Sequence, residues 1–351
     1  MNSLSDILRH RIASGGAISL SDFMGEALSH PQHGYYITRD PLGRAGDFIT
    51  APEISQMFGE IIGLWCAVVW QSMGSPATIL LAELGPGRGT LMADLLRAAA
   101  MVPEFRAAIR VHLVETSPAL RQAQARTLAA IGVSPTWHDH IDSLPPGPLL
   151  LVANEFFDAL PIRQYIRRAD GWHERRVGLD GENFVFVDGP MVDLDAPAAE
   201  IGQHFETNDP ARAIAARLGA RLADQGGAAL VIDYGYERTA VGDTLQAVRD
   251  HAFAPALADP GHADLTAHVD FQALAQAFQP AACAPLATQG AFLRALGIEL
   301  RAARLMKSAP DKAEDIAKAC RRLIDASEMG NLFKVLAVTD PKLPPPPGLS
   351  L

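Results

Sequence analysis

From position 78 onward, short apolar runs alternate with longer stretches whose apolar residues recur at helical spacing. Near-continuous apolar runs of this length read as strands buried on both faces. They fall at 78–84, 110–115, 133–137, 148–153 and 228–234, and 333–338 makes a closing strand. Between them the spacing predicts helices over 90–100 and 118–131. This alternation implies an α/β fold: a doubly wound, mostly parallel, Rossmann-like sheet with helices on both faces.

Residues 1–75 read as a helical and loop segment. Ser21 opens an N-cap candidate, a second helix runs over 54–73, and the irregular stretch from His33 to Glu53 reads as loop. The sheet-bearing domain is expected at 76–160 and 228–340, interrupted by an insertion at 161–227. Within that insertion Tyr165, Val177, Phe184 and Phe186 alternate with polar residues around Asp170-Gly171 and Asp180-Gly181. That pattern predicts β hairpins, a lid or substrate platform above the sheet. Residues 236–268 form another long connection, and Pro344 to Pro347 make 341–351 an extended tail.

Composition changes this picture little. The chain has 351 residues, 48% hydrophobic and 20% charged, which suits a packed protein and excludes disorder. The longest apolar run, 61–70, is too short to span a bilayer, so membrane insertion is not expected. A net charge of −10 gives no footprint for nucleic acid and suits a cationic partner instead. Arg163, Arg167 and Arg168 read as a solvated strand edge. Cys66, Cys283 and Cys320 are scattered with no CxxC pair, so neither a disulfide framework nor a metal site is expected, and a reducing compartment fits. Asp6 and Asp22 appear early and no apolar signal core precedes them, which argues against a secretion leader.

The chemistry starts at Glu83-Leu84-Gly85-Pro86-Gly87-Arg88-Gly89-Thr90, a glycine turn between the first strand and its helix. Glycines here let a ligand lie against the backbone, and ligands of such sheets sit at the strand C-termini. A dinucleotide fingerprint needs G-x-G-x-x-G and a P-loop needs G-K-[ST]; this turn has neither. The E-x-G-x-G-x-G form, with Glu115 ending the second strand to accept from both ribose hydroxyls, is the arrangement of S-adenosylmethionine sites. The cofactor set is therefore Glu83, Gly85, Gly87, Gly89 and Glu115. Asp139, after the third strand, is either an acceptor for the adenine amine or a surface or capping residue.

Asn154-Glu155-Phe156-Phe157-Asp158 ends the fourth strand, where the reacting methyl is expected. It echoes the N/D-P-P-F/Y loop of amide and amine N-methyltransferases, with Glu155 and Phe156 in place of the prolines. A carboxylate there suits a cation, and an arginine guanidinium is gripped by paired carboxylates through bidentate bonds. Glu155, Asp158 and Asn154 are the catalytic candidates, with Phe156 and Phe157 as walls of the acceptor site. The competing reading makes Asp158 a helix cap and the phenylalanines core. In the loop 46–55, Asp47, Thr50 and Pro52 are expected over the cofactor and Glu53 near the acceptor; the alternative is that Thr50 or Glu53 merely caps the next helix. His268 either faces the cleft or is structural, and Asp270 reads as an N-cap.

Taken with His33-Gly34-Tyr35-Tyr36, Gly46-Asp47-Phe48-Ile49-Thr50-Ala51-Pro52-Glu53, Asp264-Leu265-Thr266-Ala267-His268-Val269-Asp270-Phe271 and Met329-Gly330-Asn331-Leu332-Phe333-Lys334-Val335, these motifs resemble the MidA-like family of S-adenosylmethionine-dependent methyltransferases. The resemblance implies a class I methyltransferase fold. It also implies transfer to a protein arginine, since mitochondrial members dimethylate an arginine on a complex I subunit during assembly. Because the family domain starts within the first residues here, a bacterial cytoplasmic member is expected, with the mitochondrial matrix as the alternative. Two other functions stay open: a methyltransferase for a small molecule or nucleic-acid base, and a cofactor-binding assembly chaperone without catalysis.

Overall fold

The computed structural model describes residues 3–38 and 50–349. Its centre is a sheet built from β1 (Ile79–Leu84), β2 (Ile109–Val114), β3 (Thr136–His138), β4 (Leu149–Asn154), β5 (Gly227–Tyr236), β6 (Ala282–Cys283) and β7 (Phe333–Thr339). The order is β3-β2-β1-β4-β5-β7-β6. The strands from β3 to β5 are mutually parallel, and β7 runs antiparallel to both its neighbours. The expected doubly wound α/β sheet is present. The short strand β6 was not legible: two exposed residues carry no burial pattern.

Side-chain alternation along the strands divides the core into two layers. Ile79, Leu81, Leu150, Val152, Leu230 and Ile232 point to one face. Leu80, Ala82, Leu84, Leu149, Leu151, Ala229 and Val231 point to the other. Every residue of β1 and β4 is buried, as an apolar run covered on both faces requires. On the first face lies a long helix, Gln56–Ser72, whose Phe58, Ile61, Ile62 and Trp65 are at most 2% exposed. Each such side chain contributes about 1.5–3 kcal/mol by leaving water. This helix was grouped with the N-terminal segment on sequence, but its apolar residues pack in the sheet's core. The tail also packs there: Trp65 Nε1 donates to the Pro347 carbonyl at 3.2 Å, and Leu349 is buried.

A separate core joins the N-terminal helices Leu4–Gly15 and Leu20–Ser29 to the insertion, through Leu8, Phe23, Met24, Ile162 and Val177. The strand Ile18–Ser19 pairs antiparallel with Val177 and Arg176. Ser19, not Ser21, caps the second helix, its hydroxyl accepting from the Asp22 N–H at 2.9 Å. The insertion is a set of antiparallel strands, with Arg163–Arg168, Gly171–Asp180 and Asn183–Val192 joined at the two Asp-Gly turns. The 33–53 stretch holds two short helical turns within its described parts, Tyr35–Thr38 and Ala51–Ile54. Among the described residues no helix is long and apolar enough to cross a membrane.

Candidate active site

The sheet order reverses between β1 and β4, so the connections leaving their C-terminal ends part and leave a crevice. A cleft of about 500 Å³ occupies it, within the range of small-molecule sites. It gathers Glu83, Gly85, Gly87, Glu115, Asp139, Thr50, Pro52, Glu53, Asn154, Glu155, Phe156 and Asp158 along its walls. Gly89 closes the turn at the N-cap of the helix Thr90–Ala99. Asp47 lies outside the described residues.

The glycine turn holds its shape through left-handed backbone at Gly85, Gly87 and Gly89, with φ of 58°, 52° and 80°. Gly85 is the tightest point. A Cβ there would stand 3.0 Å from Cδ2 of Phe156, the ring that walls the cleft from β4. Gly85→Ala combines that approach with a disfavoured φ, and is expected to weaken cofactor binding by about tenfold or more. Isothermal calorimetry with S-adenosylhomocysteine measures it; unchanged affinity would show that the turn does not touch the ligand.

The acids around the turn are held individually. Glu83 is buried, and burial pushes its carboxyl up to about 8. Its Oε2 has no hydrogen-bond partner among the described residues. Glu115 accepts from the Ser117 N–H at 2.8 Å and from Gln124 Nε2 at 3.1 Å, and burial raises its carboxyl above the usual range. Asp139 is largely exposed and ion-pairs with Arg121 Nη2 at 2.6 Å, so its carboxylate is tied to the helix Pro118–Ala129 while still lining the cleft.

At the end of β4 the chain turns through Glu155, whose φ of 50° is unusual for a residue with a side chain. Its Oε1 accepts from the Ala51 N–H and from Asn154 Nδ2, both at 3.0 Å. Burial pushes the Glu155 carboxyl up to about 7, and the Asp158 charge adds to the rise. Burial likewise raises Asp158 to about 6, against the Tyr234 hydroxyl beside it. Asn154 Oδ1 and Asp158 Oδ1 are buried with no hydrogen-bond partner among the described residues. No helix follows Asp158; the chain passes through turns into the strand Arg163–Arg168, so the capping alternative has no helix to cap.

Two candidate acceptor-site residues, Phe157 and His268, lie away from the cleft. Phe157 is fully buried in the core, edge-on to Phe156 at 5.3 Å between ring centroids. The turn after β4 leaves Phe156 at the cleft and packs Phe157 beneath it in the core, a split that the sequence of an irregular turn does not encode. His268 lines a separate small pocket and stacks edge-on against Tyr234 at 5.4 Å. Asp270 caps the helix Phe271–Ala277, accepting from the Ala273 N–H at 3.0 Å. In the loop ahead of the long helix, Ser55 supplies the cap, accepting from Met57 N–H at 3.2 Å. Thr50 sits at the N-cap of Ala51–Ile54 without a side-chain bond, and Glu53 instead accepts from Thr90 Oγ1 at 2.6 Å.

Several residues that organise the cleft escaped sequence reasoning. Gln124 ties together Glu115, the Gly87 carbonyl (2.8 Å) and Trp137 Nε1 (2.8 Å). Asp233 is completely buried; its Oδ2 accepts from the N–H groups of Phe156, Phe157 and Asp158 at 3.2, 3.0 and 3.2 Å. An acid closing the apolar run 228–232 was a visible signal for it. Tyr36, Asp264 and Tyr234 also line the cleft; Tyr36 and Asp264 lie in motifs that carry the family resemblance, but nothing in the sequence assigned them to the cleft.

Three comparisons bear on this cleft. A family model described as S-adenosyl-L-methionine-dependent methyltransferase matches residues 61–288. The chain is 38% identical over 371 residues to the protein arginine methyltransferase NDUFAF7, mitochondrial, of Xenopus tropicalis, covering 96% of this chain and 86% of that one. With the Homo sapiens protein of the same name the identity is 36%, over 96% of this chain and 84% of the relative. Among solved structures, a superfamily member from Burkholderia thailandensis bound to S-adenosyl-homocysteine superposes with a TM-score of 0.84. It is 30% identical, with 99% of this chain and 92% of that chain covered. The glycine turn, the switch-point cleft and these matches agree: the chain belongs to the S-adenosyl-L-methionine-dependent methyltransferase family and is an enzyme that uses that cofactor.

Proposed function

We propose that this enzyme methylates an arginine guanidinium of a protein, a subunit of respiratory complex I as the family resemblance implies. The observation that carries this reading is the pair of carboxylates at the β4 end of the cofactor cleft, a buried Asp158 and a half-buried Glu155, with Asp158 Oδ1 lacking a partner among the described residues. Burying a carboxylate without a cation is costly, and a guanidinium supplies both the charge and the donors. The relatives named protein arginine methyltransferases support the same acceptor. The free thiols Cys66, Cys283 and Cys320 suit a reducing compartment, either the bacterial cytoplasm or a mitochondrion as for those relatives.

The cleft's acceptor groups fit S-adenosylmethionine. Glu83, whose Oε2 has no partner among the described residues, suits the ligand's ammonium; Glu115 suits the ribose hydroxyls; Asp139 suits the adenine amine. Thr50 and Pro52 line the cleft and suit contact with the cofactor, the role also proposed for Asp47. The bound cofactor supplies an electrophilic methyl group. Glu155 and Asp158 grip the guanidinium, Asn154 steadies Glu155, and Phe156 excludes water from one side. Glu53, held against Thr90, borders the acceptor's approach. Orientation of this kind is worth about 7–11 kcal/mol at most. The proton that the methylated nitrogen releases passes to Asp158.

Guanidinium binding needs both carboxylates ionised. With Glu155 pushed up to about 7 and Asp158 to about 6, each is partly protonated on the acid side of neutrality. The acceptor KM is therefore expected to fall as pH rises from 6 to 8, while a flat profile would remove the pair from acceptor binding. Incubation with labelled S-adenosylmethionine and lysate from a strain lacking the enzyme, followed by mass spectrometry, tests the whole reading. Label on an arginine supports it; label confined to lysine, RNA or a small molecule overturns it.

A further inference from the structure

In the cleft that Glu155 lines, a second acidic group is assembled from parts of the chain that are remote in sequence. Tyr36, from the N-terminal segment, donates its hydroxyl to Asp264 Oδ1 at 2.8 Å. Asp264 opens the strand Asp264–Thr266, and three residues on, the Ala267 N–H donates to the Asp158 carbonyl at 3.0 Å. This main-chain bond stitches the loop bearing Asp264 to the loop bearing Asp158. Tyr234, at the end of β5, stands with its hydroxyl between Asp158 and Thr266. Tyr36, Asp158, Tyr234 and Asp264 all line the cleft, and Asp158 and Asp264 are each only 6% exposed. Asp158 Oδ1 is buried with no hydrogen-bond partner among the described residues, and the Tyr36 phenol feels the charges of both Asp264 and Asp158.

We infer that Asp264, oriented by Tyr36, is a specificity-determining residue that holds a second edge of the acceptor guanidinium and so selects arginine over lysine. The inference rests on the arginine reading above. A guanidinium is a planar fork with five N–H donors, whereas an ammonium is a compact point charge with three. Glu155 and Asp158 come from one loop and engage one side of an incoming cation. A carboxylate on a separate loop, fixed by a phenol, gains only if the cation is broad and planar enough to present a second edge. Lysine reaches the first carboxylates and leaves Asp264 unused. Leu28, Ile37, Leu160 and Ile214 line the same cleft and give apolar surface to the three-methylene stem of an arginine.

The test uses the full-length enzyme and two peptide pools, randomised around one central arginine or one central lysine. For Asp264→Asn the arginine-pool KM is expected to rise by about 30-fold, the size for losing one partner of a buried charge pair. The kcat is expected to change less than about threefold, and calorimetric affinity for S-adenosylhomocysteine to stay the same. The arginine-to-lysine preference falls in step with KM. Tyr36→Phe keeps the ring and removes only the hydroxyl; it is expected to raise KM by about fivefold, the net worth of one hydrogen bond. Unchanged KM in both variants, or a parallel loss of cofactor affinity, overturns the role of Asp264. Preference of the unaltered enzyme for the lysine pool would instead overturn the arginine reading on which it rests.

Discussion

Glu155→Gln is expected to lower methyl transfer by about 100- to 1,000-fold, while cofactor affinity stays within about twofold of the unaltered enzyme. Glutamine keeps the Oε1 that accepts from Ala51 and Asn154, so the local fold has no reason to change. What it loses is the negative charge that draws and aligns a guanidinium. The same substitution is expected to leave stability unchanged or raise it. Burial lifts the Glu155 carboxyl from 4.5 to about 7, so the folded state holds its proton more tightly than the unfolded chain does. Stability from this group is fully present below the unfolded pKa and is lost as pH rises through about 7. Melting curves of the unliganded protein at pH 5 and pH 8 check the sign: the variant's advantage belongs at pH 8. Full activity on protein substrate in Glu155→Gln would remove it from the reaction.

Asp233→Ala has the larger structural consequence, an expected loss of about 3 kcal/mol or more. The Phe156, Phe157 and Asp158 N–H groups lose Oδ2, and the Tyr234 N–H loses Oδ1, which it meets at 2.9 Å. These donors point into protein, and water does not replace the carboxylate easily. Asp233 is itself under strain of charge: burial, then Asp158 and Glu155, push its carboxyl well above the carboxylate range. Four N–H donors offset that cost, and the alanine variant forfeits them all. Asp233→Asn separates charge from geometry. Its single oxygen serves either the turn or Tyr234, and its amide hydrogens oppose the donors on the other side, so an intermediate loss is expected. Chemical denaturation of the three proteins measures the ranking. An alanine variant as stable as the parent would mean the turn after β4 holds without Asp233. Methyl transfer falls with the turn, because Phe156 and Asp158 both line the cleft.

Local chemistry made the frame of this enzyme legible from its residues alone. Apolar runs covered on both faces favour buried parallel strands, so β1, β4 and β5 could be read directly, and the shorter apolar runs of β2 and the antiparallel β7 were legible as strands. The Gly85–Gly89 turn was equally plain, because left-handed backbone at three closely spaced positions calls for glycine. Acids at strand ends, Glu83, Glu115 and Glu155, pointed to the crevice because a doubly wound sheet leaves its opening there. Three-dimensional packing decided the remainder. Asp233 reaches the turn it supports across 77 positions of chain, and Tyr36 meets Asp264 across 228, so neither pairing leaves a local pattern. The split between Phe156 at the cleft and Phe157 in the core depends on how an irregular turn rotates two adjacent side chains. Capping by Ser55 rather than Thr50 depends on where the chain straightens before the long helix. A sequence states which groups are available and what backbone they favour; which carboxylate meets which donor is settled only when distant segments are packed against one another.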